Sequence, residues 1–206
     1  MKIVALSDTH GMHREVTVPD GDILICAGDI TGLGTLAELI DFNNWLSSLS
    51  HRTKIVIAGN HDEYLTKGRD QSQILLDEAI YLENQQFYTP EGLSVWGSPY
   101  TLRFMNWYFM EEESKINRYW EMIPKDTDIL ITHGPCFGIL DELPLKGHLG
   151  CEKLTERVKM VAPKLHIFGH IHGAYGVTKI EDTIYVNCSI CNEGYLPVNK
   201  PVEIDI

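Results

Sequence analysis

The chain has 206 residues, 44% of them hydrophobic and 22% charged, the balance of an ordinary globular protein. Its net charge of −12 excludes bulk binding to duplex nucleic acid, which needs a basic face. No apolar run approaches the ~20 residues of a membrane span, so no membrane partner is expected.

The N-terminus Met1-Lys2-Ile3-Val4-Ala5-Leu6-Ser7-Asp8 reaches a charge too soon for a secretory leader and reads as a first strand. Cys26, Cys136, Cys151, Cys188 and Cys191 are scattered, which fits reduced thiols and a cytoplasmic setting. Cys188-x-x-Cys191 has no partner pair, so a zinc ribbon is not expected. A chain this long can bury a full core unaided, and one domain over residues 1–206 is expected.

The first apolar runs are Lys2–Leu6 and Ile23–Ala27. A helix from about Thr35 follows, with Leu36, Leu39, Ile40, Leu46 and Leu49 on one face. Lys54–Ala58 reads as the third strand, and a second helix is expected from about Ser72 to Tyr81. A third, from Glu111 to Met122, opens on three glutamates that suit a helix N-terminus. Ile129–Thr132 is the next strand. A fourth helix runs from about Glu152 to Val161 and stops before Pro163. Leu165–Phe168 is the fifth long strand. Ala174–Val177, Thr178–Ile180, Ile184–Asn187 and Val202–Ile206 read as short strands, with Glu181-Asp182 as a hairpin turn. Nearly continuous apolar strands suit sheets covered on both faces. The pattern predicts an α/β fold of two sheets flanked by helices.

Each long strand hands over to polar residues: Asp8-Thr9-His10, Gly28-Asp29, Gly59-Asn60-His61-Asp62, His133-Gly134 and Gly169-His170-Ile171-His172. Open α/β sheets place their sites beyond such strand ends. Carboxylate, imidazole and amide oxygen together suit a divalent first-row metal. One strand-end Asp is commonly a cap, and one His beside an apolar run is commonly a core residue. Five such ends are different. Buried together without a metal, they would leave polar atoms unpaired at about 1–3 kcal/mol each.

Other residues carry softer expectations. Asp62 either orients a histidine or caps a turn. His166 lies inside a strand and reads as core. His13 and His51 read as exposed loop residues, and Glu111-Glu112-Glu113 as a solvated helix start. His148 shares a loop with Phe137 and Lys146 that would overhang the site. Arg103, Asn106 and Trp107 form a polar-aromatic insert suited to stacking a base.

The ordered set D-x-H, G-D, G-N-H, H and G-H-x-H, from Asp8 to His172, resembles the calcineurin-like metallophosphoesterases. A narrower likeness is carried by Gly97-Ser98-Pro99-Tyr100, Asn106-Trp107, Thr132-His133-Gly134-Pro135 and Gly150-Cys151. It continues through Pro163 to His172, Val186-Asn187-Cys188-Ser189, Asn192-Glu193 and Pro197-Val198-Asn199. These are similar to the metallophosphoesterase-domain-containing subgroup, akin to class III cyclic-nucleotide phosphodiesterases.

The resemblance implies a four-layer αββα sandwich with two mixed sheets. It implies two divalent ions, one held by Asp8, His10, Asp29 and His172, the other by Asp29, Asn60, His133 and His170. Asp29 would bridge them. Manganese is favoured, and iron, zinc or nickel also suit nitrogen and oxygen donors. The implied reaction is hydrolysis of a small phosphodiester, such as a cyclic nucleotide, by in-line attack of a hydroxide bridging the ions. His61 would protonate or stabilise the leaving oxygen. Asn60, His61, His148, Asn106 and Trp107 would meet the substrate. Alternatives are a phosphomonoesterase or protein phosphatase, and a nucleotide-binding regulatory module with slow turnover. The acidic balance disfavours a nuclease. Monomer and homodimer both remain open.

Overall fold

The computed structural model describes residues 1–206. In chain order, the first strands are β1 (Lys2–Leu6), β2 (Ile23–Ala27), β3 (Thr53–Ile57), β4 (Ile80–Tyr81), β5 (Gln85–Tyr88) and β6 (Ser94–Ser98). Two short ribbon strands follow, β7 (Thr101–Leu102) and β8 (Met110–Glu111), and then β9 (Ile129–Thr132). A small hairpin, β10 (Glu142–Leu143) and β11 (Gly147–His148), precedes β12 (Leu165–Phe168). The chain closes with β13 (Gly176–Ile180), β14 (Thr183–Asn187) and β15 (Val202–Asp205). The helices are α1 (Leu36–Ser47), α2 (Arg69–Leu75), α3 (Glu113–Trp120) and α4 (Glu152–Val161).

One sheet runs β15-β1-β2-β3-β4, and the other β13-β14-β12-β9-β6-β5. Both are mixed. β1 to β4 are parallel, with β15 antiparallel at the edge. β6, β9, β12 and β14 are parallel, with β5 and β13 antiparallel at the two edges.

Alternation along β1 shows why these strands read as unbroken apolar runs. Ile3 and Ala5 enter a core that also holds Ile25, Ile57, Ile131, Ile167 and Val186, so it lies between the sheets. Val4 and Leu6 turn the other way, onto Leu39, Phe42 and Leu46 of α1. A third cluster packs Trp96, Leu130 and Phe168 against Ile116 and Trp120 of α3 and Leu154 and Val158 of α4. The layers are therefore helix, sheet, sheet, helix, as expected. Each strand of the parallel cores is apolar on both faces because each face meets a different core.

α1 starts as its sequence suggests. Thr35 accepts from the Glu38 amide while the Glu38 carboxylate takes the Thr35 amide, a reciprocal cap.

Three boundaries differ from expectation. α2 ends at Leu75, and Ile80–Tyr81 pairs in parallel with Ile55 and Val56 instead of continuing a helix. The side chain of Gln73 takes the Tyr81 amide at 2.8 Å, so the strand entry is satisfied from the helix. α3 begins at Glu113 because Glu111 pairs with Leu102. The Glu111 carboxylate is largely covered and bonded to Arg118, not free in solvent. Residues 174–180 form one strand from Gly176, and His172–Ala174 is a 3-10 turn.

Candidate metal centre

The polar strand ends gather at one edge because parallel strands deliver their C-termini to the same side. Three connections fix the geometry. The Ser7 amide bonds the Cys188 carbonyl at 3.0 Å, and the Ile190 amide bonds Ser7 at 2.9 Å, which joins the exit of β1 to the exit of β14. The His10 amide bonds the Asp29 carbonyl at 3.0 Å. The Gly169 amide bonds the His133 carbonyl at 3.0 Å.

Asp8, His10, Asp29 and His170 all have positive φ, between 44° and 69°. Left-handed backbone at non-glycine residues costs energy that the surrounding structure must offset, and it concentrates at functional sites. Two glycines permit the crowding. A Cβ on Gly169 would collide with the Asp8 carboxylate, and one on Gly59 with that of Asp29.

Asp8 is fully buried. Its carboxylate accepts from the Ser7 and Ser189 hydroxyls and from the His170 amide. Its Oδ1 stands 3.3 Å from His172 Nε2, which is 3.1 Å from His10 Nε2. Asp29 is nearly as buried. Its Oδ2 lies 3.4 Å from His133 Nε2 and 3.9 Å from His10 Nε2. Asn60 places Oδ1 3.0 Å from His133 Nε2. Donor atoms of Asp8, His10 and His172 lie within 4.8 Å of one another, and so do those of Asp29, His133 and His170.

Electrostatics divide the imidazoles into two kinds. Burial opposes charge on His133, but Asp29 and Asp8 outweigh it and raise its pKa to about 9. His172 is also raised, against burial, by its contact with Asp8. Burial pushes His10 down to about 4, and burial with the His133 charge pushes His170 down to about 3. Both carboxylates are held below their ordinary range. Burial opposes this, but His172 lowers Asp8 and His133 lowers Asp29.

These donors fit divalent ions. His133 Nδ1 faces the Ala27 carbonyl at 3.0 Å, and His172 Nδ1 faces the Asn192 carbonyl at 3.0 Å. A carbonyl cannot donate, so each Nδ1 carries the proton. In the neutral ring the Nε2 lone pair then points inward, at carboxylate and amide oxygens. Lone pairs facing lone pairs at 3.0–3.4 Å need a cation between them, either a proton or a metal. Outer hydrogen bonds of this kind set ligand orientation in metal sites.

A family model described as calcineurin-like phosphoesterase matches residues 1–174. The chain belongs to the calcineurin-like phosphoesterases. It is 39% identical over its whole length to human metallophosphoesterase domain-containing protein 1, covering 71% of that protein. A UPF0046 protein of Caenorhabditis elegans is 36% identical over 98% of the chain, which covers 74% of it. A solved structure from Thermus thermophilus shares the fold at a TM-score of 0.63 and 13% identity, over 90% of this chain and 88% of that one.

Beside these donors lies a cleft of about 750 Å3 whose wall includes Asp29, His61, Trp107, His148, His170 and Tyr195. The His61 amide donates to Asp29 Oδ1 at 2.8 Å, and its Nδ1 donates to the Gly32 carbonyl at 3.0 Å. Trp107 is exposed and lays one face against His61, with ring centroids 4.2 Å apart. His148 is half-exposed, and its Nδ1 is held 2.7 Å from the buried carboxylate of Asp141. Asn106 is exposed and is not part of the cleft wall.

Other residues depart in part from expectation. Asp62 bonds no histidine, and its side chain pins the Gly59–Asp62 turn that its own amide closes on the Gly59 carbonyl. Its buried carboxylate accepts from the Gly59 amide (2.7 Å), the Thr31 amide (2.9 Å) and the Thr31 hydroxyl (2.6 Å). It thereby ties the loop after β2 to the loop after β3. His13 is buried, its Nε2 3.0 Å from Asp41 and its ring against Phe42 and Trp45 of α1. His51 is buried too, filling space beside Gly21. His166 is core as expected, bonded to Thr132 at 2.8 Å.

The place of Tyr195 in the site is not legible in the sequence. Its ring packs on His10 at 4.8 Å and His172 at 5.2 Å, and its φ of 57° follows from the Asn192 side chain bonding the Gly194 and Leu196 amides. An Asn three residues before an aromatic is a turn signal, but nothing local says where the ring will point.

Among the helices, none is long and apolar enough to cross a membrane.

Proposed function

We propose that this phosphoesterase holds two divalent ions that share Asp29, and that it hydrolyses small phosphodiesters, with cyclic nucleotides the favoured class. The observation that carries the reading is the placement of Asp29 Oδ2, which faces His10 Nε2 on one side and His133 Nε2 on the other. Asp8, His10 and His172 would complete one site, and Asn60, His133 and His170 the other. The neutral amide of Asn60 keeps the second site from gaining a further negative charge. Manganese is the favoured metal for these nitrogen and oxygen donors. When bound, the ions supply a nucleophile from water at neutral pH and charge to stabilise the phosphoryl oxygens.

The chain's own residues do the rest. Asp8 is held by two hydroxyls and an amide, so it can present one carboxylate oxygen in a fixed direction. Asp29 is fixed by the His61 amide on its other oxygen. His61 Nδ1–H donates to the Gly32 carbonyl, which leaves Nε2 as the ring nitrogen free to meet the leaving oxygen, and from the doubly protonated ring Nε2–H can pass its proton there. Trp107, His148 and Tyr195 shape the cleft around the organic part of the substrate. The diester preference rests on the subgroup likeness and on a cleft walled by rings.

The five free cysteines are all buried, which suits a reducing compartment and supports a cytoplasmic setting. A core shared by both sheets supports reading residues 1–206 as one domain.

The test is turnover by metal-stripped protein with manganese, iron, zinc or nickel restored. The substrates are bis-p-nitrophenyl phosphate, p-nitrophenyl phosphate and 3′,5′-cyclic nucleotides. Higher kcat/KM on the diesters is expected. A clear preference for the monoester points to a phosphomonoesterase, and metal binding without any turnover to a regulatory module.

A further inference from the structure

The loop between β7 and β8 is exposed from Arg103 through Trp107. A tryptophan on such a loop ordinarily offers its face to a ligand ring. Here one face is occupied. The Trp107 and His61 rings lie 4.2 Å apart with planes 32° from parallel. The indole Nε1 is turned to Met105 Sδ at 3.4 Å. The next residue anchors the loop to the site, because the Tyr108 amide donates to the Asn60 carbonyl at 3.2 Å. The insert is thus docked on the residue preceding His61 and covers the His61 ring itself.

His61 needs that cover. Its backbone is fixed by Asp29 and its Nδ1 by Gly32. The Nδ1 bond and the Cβ–Cγ bond set the ring plane, but a single hydrogen bond resists only weakly a swing of the far edge that carries Nε2. His10 meets the ring edge-on, at 4.6 Å and 79°, and limits movement in one direction. Trp107 closes the open face. A catalytic group displaced by about 1 Å can cost ~100-fold in rate, so a side chain that stops the swing has a large effect without touching substrate.

We propose that Trp107 is a positioning residue that holds the His61 imidazole in line with the leaving oxygen, and is not a platform for a substrate base. The proposal rests on the reading of His61 given above. It also changes which parts of the cleft are free. The face of Trp107 turned toward His61 is spent, so a substrate ring cannot stack there.

The test compares Trp107→Leu, which keeps apolar bulk without a stacking face, and Trp107→Phe, which keeps a face. Both are assayed with manganese on bis-p-nitrophenyl phosphate and diphenyl phosphate, neither of which carries a base. Trp107→Leu is expected to lower kcat on diphenyl phosphate by roughly 10- to 100-fold and clearly less on the better leaving group. KM should stay within about twofold, and Trp107→Phe should recover most of the loss. In a His61→Gln background, Trp107→Leu should cost almost nothing, because coupled residues are not additive. In metal-free protein, the His61 ring-proton resonances, identified by their absence in His61→Gln, should move downfield in Trp107→Leu as the indole ring current is lost.

Additive losses in the double variant, or unmoved His61 resonances, would overturn the proposal. So would a rise in KM of Trp107→Leu on a 3′,5′-cyclic nucleotide assayed alongside, with KM on the two base-free diesters unchanged. A separate outcome sinks only the leaving-oxygen reading, namely equal losses on both diesters in His61→Gln alone. The double variant and the resonances still judge Trp107 in that case.

Discussion

The Nε2 of His133 lies 3.4 Å from Asp29 Oδ2 while its Nδ1 lies 3.0 Å from the Ala27 carbonyl. An imidazole with an acceptor at each nitrogen prefers two protons. Asp29, acting against burial, accordingly raises His133 to about 9. Any metal taken up at this nitrogen must displace a proton.

That displacement gives a stability prediction with a definite sign. A raised histidine contributes stability that is fully present below its unfolded value, near 6.5. The contribution is lost as pH rises through about 9. His172 is raised as well and acts in the same direction. Metal-free protein should therefore lose about 1–3 kcal/mol of unfolding free energy between pH 6.5 and 9. Metal-loaded protein should lose much less, since the ion replaces the proton. Urea midpoints across that range decide it. A flat metal-free profile would remove His133 as a charged partner of Asp29.

Asp62 links two loops that each carry a candidate ligand, and burial with the nearby Asp29 pushes its pKa up to about 6. Asp62→Ala strands the Gly59, Ile30 and Thr31 amides in the interior and leaves the Thr31 hydroxyl only the His61 carbonyl. A loss of about 2–4 kcal/mol is expected, the cost of several unpaired buried groups. Metal affinity should fall with it, because Asp29 and Asn60 lose their common tether. Denaturant melts and metal titration of the same variant check both.

Gly59 has room for no side chain. A Cβ there would lie 2.7 Å from His133 Cε1 and would overlap Asp29 Oδ1. Gly59→Ala should therefore cost metal affinity at the Asp29 cluster while the distant helix cores stay intact. Retained far-ultraviolet circular dichroism with weakened manganese binding is the expected pair of results. Parent-like binding would show that Asp29 can move without loss.

What could be read from the sequence and what could not divide along physical lines. The five long strands were legible because each is apolar on both faces, and their polar C-terminal ends were legible because all five broke the same way. The end of α2 is not legible, because parallel pairing of Ile80 and Tyr81 with β3 overrides a local helical pattern. β5 and β6 lack a continuous apolar run, with Gln85, Gln86 and Gly97 inside them. The burial of His13 and His51 is not legible, because nothing local reports that α1 and the Gly21 loop cover them.

The support around the site was the least visible part. Ser7 and Ser189 converge on Asp8 from 182 positions apart along the chain, joined only by the bridge between their strands. Trp107 was legible as an aromatic near the site. Its partner was not, since a sequence does not show which ring an exposed loop will cover.

The central claim is that Asp29 belongs to two metal sites at once. The direct measurement is calorimetric titration of metal-stripped parent and Asp29→Asn with manganese, with bound metal counted by elemental analysis. The parent should take up two ions per chain, and the variant, with an amide in place of the shared carboxylate, should hold both more weakly. One ion in the saturated parent, or two ions bound by the variant as tightly as by the parent, would contradict the claim.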